Sequence, residues 1–154
     1  MTEGRTDAQD FYVAAKCFKE AIKMVHSHPH APANLGLIFL PVQTLLGFAL
    51  ELYFKAWLEG PGRDENVLRK TYGHNLMKLF IDSKNEGLPV IPRLDETVEQ
   101  TEKSHGDYTY RYFKRTMNYS AMGMMTVFKV LDALDEAVDK KVGASTSLGL
   151  TPGH

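Results

Sequence analysis

The sequence has a single cysteine, Cys17, which excludes a disulfide framework and any multi-cysteine zinc site. It has no excess of charge of either sign. Against 18 Lys and Arg stand 19 Asp and Glu, so binding to nucleic acid would have to use a local patch rather than a basic surface. The opening MTEGRTDAQD has no basic stretch followed by an apolar one, so no secretory signal is visible and a reducing cytoplasm is the expected setting. There is no phosphate-cradling glycine loop, no serine elbow and no HExxH helix; neither a metal nor another cofactor is expected. No segment alternates apolar and polar residues for long, which argues against strands. What is left is a chain of 154 residues, enough for one domain that buries about 70% of its unfolded surface without staples.

One long apolar run is present. Residues 35 to 58 read LGLIFLPVQTLLGFALELYFKAWL, long enough to cross a bilayer. Pro41, Gln43, Glu51 and Lys55 interrupt it, and a central charge costs about 2.5–3.5 kcal/mol on insertion. Glu51 and Lys55 also stand four residues apart with the acid first, the favourable order for a helical pair. The run therefore reads as a buried core helix, starting near Pro41, with Glu51 and Lys55 as a structural polar pair and no membrane as partner.

Helical periodicity organises the rest. Phe11, Ala15, Phe18, Ile22 and Val25 recur every three or four residues from about Asp7 to His26, with Thr6 and Gln9 at capping-box spacing. Lys16, Lys19, Glu20 and Lys23 fall on the other faces. Residues 63–72 read as a loop or a short polar helix, and a further helix begins near His74 or Asn75. After Pro92, Leu94 and Val98 mark a weakly patterned acidic helix, and a long one is expected from about Tyr108 to Lys140. The sum is an all-α bundle of four to five helices over residues 1–142, followed by a small, polar tail over 143–154 that is expected to be disordered.

Three constellations carry chemistry. His26, His28 and His30 alternate in HSHPH, but Pro29 interrupts them and no distant ligand points to the same place, so an exposed post-helix loop is the simpler reading. In YTYRYFKR, residues 108–115, four aromatics interleave with Arg111, Lys114 and Arg115. That mixture lets bases stack while cations neutralise phosphates; it equally suits a helix with aromatics inward and cations in water. In LRKTYGHNLMKLF, residues 68–80, Arg69 and His74 are separated by four residues, with Lys70 and Asn75 beside them. On one continuous helix these two would point about 140° apart, so Tyr72-Gly73 is expected to break the helix and leave His74 at the start of the next.

The run LLGFALELYFKAWLEGPG, then YGHNLMKLF, then YRYFK resembles the HEPN superfamily of helical domains. The matching features are Glu51 and Lys55 on a long apolar helix, the start Gly73-His74-Asn75-Leu76, and Tyr110-Arg111-Tyr112, spanning about residues 41–113. The resemblance implies a four- or five-helix bundle, commonly a homodimer, associated with RNA or nucleotides and often placed beside nucleotidyltransferase-type protein partners. Many members are metal-independent endoribonucleases, some toxin-like, with an Arg-x4-6-His motif that Arg69 and His74 match in spacing. Active members usually carry that motif at the start of a late helix, where this chain has Arg111 and Arg115 but no histidine. The expectation is accordingly a non-catalytic module for RNA, a nucleotide or a protein partner. Its binding residues would be Lys70, Asn75, Arg111, Lys114 and Arg115, and the alternative is an RNA-cleaving enzyme using Arg69 and His74.

Overall fold

The structure, a computed structural model, describes residues 6–105 and 122–151. Those residues form an all-α bundle: α1 (Ala8–Ser27), α2 (Leu35–Leu58), α3 (Glu65–Tyr72), α4 (Leu76–Asn85), α5 (Leu94–His105), α6 (Met124–Val142) and the short α7 (Ala144–Leu148). The apolar α2 is the axis, lying along α1 and touching α4, α5 and α6. Its length and composition would allow a membrane crossing, yet Leu46, Leu50, Tyr53, Phe54 and Leu58 are buried in the core, as the charge interruptions require.

Several helix limits differ from those read in the sequence. Asp7, not Thr6, caps α1: its side chain accepts from the backbone of Gln9 and Asp10, and Asp10 returns the bond to Asp7. α2 begins at Leu35, six residues before Pro41, and carries that proline inside it. A proline there removes one hydrogen bond to the preceding turn, and the exposed position leaves the unbonded carbonyl to water. Residues 65–72 are helical, capped by Asp64, whose side chain accepts from Val67 N. The long last helix is shorter than expected at its start, because Met122 and Gly123 are not helical and Gly123 caps α6 at Met124; the rest of that stretch, 108–121, lies outside the described residues.

The tail expectation is corrected for residues 143–151. Gly143 ends α6 in the left-handed conformation, α7 follows, and Ser145 N donates to Asp139 Oδ1 at 2.8 Å. Lys16 Nζ reaches the Thr151 carbonyl at 3.1 Å. The tail folds back because Asp139 in the last turn of α6 and the buried Lys16 of α1 offer it partners.

Lys16 and Lys19 also depart from a solvent-facing reading of α1. Both are buried against α6, with Lys19 Nζ 3.3 Å from Asp135 Oδ2. The same carboxylate accepts from Tyr12 Oη at 2.9 Å and Tyr53 Oη at 2.6 Å. Lysines at 16, 19 and 23 and aspartates at 132 and 135 share spacing on facing helices, so α1 and α6 are joined by charge as well as by packing. Burial, then the neighbouring carboxylate, pushes both tyrosine hydroxyls well above their usual range.

Candidate functional site

On α2, Gly47, Glu51 and Lys55 follow one another at four-residue steps and so line one stripe of the helix. Gly47 makes room. A Cβ at that position would overlap the imidazole of His105, which closes α5 and rests against the α2 backbone. His105 is buried and meets the Phe48 ring edge-on, with centroids 5.3 Å apart. On the other side, Gly73 ends α3 at φ 54°, a conformation other residues rarely adopt, and turns the chain so that His74 precedes the Asn75 cap of α4. His74 lies beside His105, the ring centroids 6.1 Å apart at 88°.

Three elements thereby converge on the Glu51 carboxylate, which is only 3% exposed. Lys55 Nζ donates to Oε1 at 2.6 Å, and His105 Nε2 to Oε2 at 2.6 Å. His74 Nδ1 stands 3.2 Å from Oε1 and 3.1 Å from Oε2. An ionised carboxylate only accepts, so the ring nitrogens facing it carry the protons: Nδ1 on His74 and Nε2 on His105. Burial by itself would raise the Glu51 pKa. Hydrogen bonds from His105 and Lys55, the Lys55 charge and the His74 bond outweigh it and hold the carboxyl at about 2. Glu51 is therefore a fixed anion, and His74, whose side chain is 45% exposed, is the part of the cluster that meets solvent.

The residues singled out in the sequence divide. Glu51, Lys55 and His74 stand together. Arg69 is exposed in the last turn of α3, where its Nη2 donates to Asn66 Oδ1 at 3.3 Å, along its own helix. Lys70 is exposed in the same turn, and the Asn75 side chain accepts from Lys78 N at 2.9 Å as the cap of α4. Arg111, Lys114 and Arg115 lie outside the described residues. His105 was missed: nothing in TEKSHGD marks it, and the one sequence signal was a glycine one turn before Glu51 in an otherwise bulky helix. In HSHPH, the His26 ring packs edge-on against Phe128, while His28 and His30 face each other in an exposed turn.

Among the described residues, two hollows lie away from this cluster. One of about 360 Å³, lined by Met24, Val25, His28 and Ile38 among others, sits where α1 and the start of α2 diverge and is apolar. Compared with known protein families, characterised proteins and solved structures, the chain finds no match. Geometry and chemistry alone thus carry the functional reading.

Proposed function

We propose that this chain is a non-catalytic, HEPN-like helical module that binds single-stranded RNA as a homodimer in the cytoplasm, at the elbow between α3 and α4. The observation that carries the reading is His74. A half-exposed imidazole is braced from behind by a buried carboxylate, with Arg69, Lys70 and Asn75 exposed or at the surface on the flanking helices. Cations and an imidazole on one elbow suit phosphate oxygens, and an Arg guanidinium is matched to them by shape. Three residues after His105 the chain enters YTYRYFKR, whose aromatics and cations have the composition of a stacking platform. Fluorescence anisotropy with a labelled RNA oligonucleotide tests this. Binding is expected to weaken steeply with salt and to weaken further in Arg69→Ala/Lys70→Ala. Salt-independent binding, or none, would count against it.

One observation favours a second reading, metal-independent RNA cleavage. With its Nδ1 proton held by Glu51, a neutral His74 is basic at Nε2, the arrangement that lets an imidazole accept a proton from a 2′-hydroxyl. Incubating the RNA with the protein in EDTA separates the two: the binding reading predicts intact RNA, the enzyme reading fragments that vanish in His74→Ala.

A further inference from the structure

We propose that Glu51, His74 and His105 form a site for one divalent transition-metal ion, zinc being the best fit. The proposal goes beyond RNA binding and does not rest on it. Each residue offers one ligand atom, and the three atoms lie within 4.8 Å of one another, although the residues come from α2, the α3–α4 elbow and α5. Two imidazoles and a carboxylate are the donor set of zinc sites that keep a position open.

The spacing is close to what an ion requires. Tetrahedral zinc with bonds of about 2.0–2.1 Å holds its donors about 3.3 Å apart. His105 Nε2 and His74 Nδ1 now stand 2.6 and 3.1 Å from the same oxygen, Oε2, so an ion needs the first contact to open by about 0.7 Å and the second by about 0.2 Å. His105 is pinned between Gly47 and Phe48, whereas His74 sits on a glycine-turned elbow and is 45% exposed. The larger opening lies between Glu51 and His105 and is made by the Glu51 carboxylate turning about its own side-chain bonds, and the exposed side of His74 is the path of entry. Lys55 occupies the other oxygen, Oε1, at 2.6 Å. It leaves Oε2 as the ligand oxygen and orients the carboxylate from outside, as the outer hydrogen bonds of ligating carboxylates do. To bind, each imidazole takes its other tautomer, with the proton on the nitrogen that faces away from Glu51 and the lone pair of the facing nitrogen on the metal.

Titration calorimetry of the full chain with zinc chloride, and thermal unfolding with and without zinc, test the site. One zinc per chain is expected, with a zinc-dependent rise in Tm. His74→Ala, at the exposed elbow, should fold and lower the affinity at least tenfold while abolishing the rise in Tm. Glu51→Gln, checked for folding by circular dichroism, should do the same. His28→Ala/His30→Ala, which removes the other paired imidazoles, should bind as the wild type does. Absence of zinc uptake by the wild type would overturn the proposal. So would uptake that survives His74→Ala and disappears in the His28→Ala/His30→Ala variant.

Discussion

Gly47 and His105 meet across the contact between α2 and α5 with no space for a methyl group between them. Through that approach a buried imidazole reaches the carboxylate one turn further along α2. Gly47→Ala is therefore expected to displace His105 and destabilise the fold by about 1–3 kcal/mol, the usual cost of overpacking. Gly36→Ala, in the same helix with open space around it, should gain up to about 1 kcal/mol from helix propensity. Urea unfolding of the pair checks both signs; equal destabilisation would mean that His105 does not occupy the Gly47 notch.

Glu51 holds three cationic or proton-donating side chains at once. Glu51→Ala leaves a mostly buried Lys55 unpaired and is expected to cost about 3–5 kcal/mol. Glu59→Ala, just past the end of α2 and only half-buried, should stay within about 0.5 kcal/mol of wild type. Equal melting temperatures for the two variants would contradict the placement of Glu51.

The same carboxylate sets an acid limit. Its folded pKa, about 2, lies below the ordinary value of 4.5, so its contribution is present in full above pH 4.5 and is lost as pH falls through 2. The difference is worth about 3 kcal/mol. The stability gap between wild type and Glu51→Gln is expected to narrow over that window, read by denaturant unfolding at a series of pH values. A gap that stays constant would show that Glu51 is not the group being titrated.

Asp135 is the other buried anion. Asp135→Asn should destabilise by several kcal/mol, because Lys19 is fully buried and Tyr12 and Tyr53 both donate to that carboxylate. Asp132→Asn, whose side chain is 43% exposed, should cost less than about 1 kcal/mol. Chemical denaturation distinguishes them.

Homodimerisation is expected to use the exposed apolar start of α2. Leu37 is 77% exposed and Met24 on α1 is 73% exposed, close to the apolar hollow between the two helices. Light scattering should give about twice the 17.3 kDa chain mass, falling towards the single-chain mass in Leu37→Glu. A wild-type mass near that of one chain would contradict dimerisation.

Helices and their packing faces were largely legible because they follow from local periodicity, and Glu51 with Lys55 from a four-residue spacing within one helix. The start of α2 was misplaced because Pro41 reads as a first-turn residue, while an exposed proline in a long apolar helix is tolerated. The site was half legible. His74 stood out through its GHN context, but its partner was sought five residues back, at Arg69, when the structure supplies Glu51 from 23 residues away. His105 was out of reach, since 54 residues separate it from Glu51 and only packing brings them together. Lys16 and Lys19 looked like a solvated face because their partners lie on α6, beyond any local pattern.

The most direct test of RNA binding at this elbow is a titration of histidine-labelled protein with a single-stranded RNA oligonucleotide, followed through the imidazole signals by NMR. The account predicts that His74 and its neighbour His105 shift progressively and saturate together, while His28 and His30 stay unmoved. Saturable RNA binding that leaves His74 and His105 unshifted would contradict it.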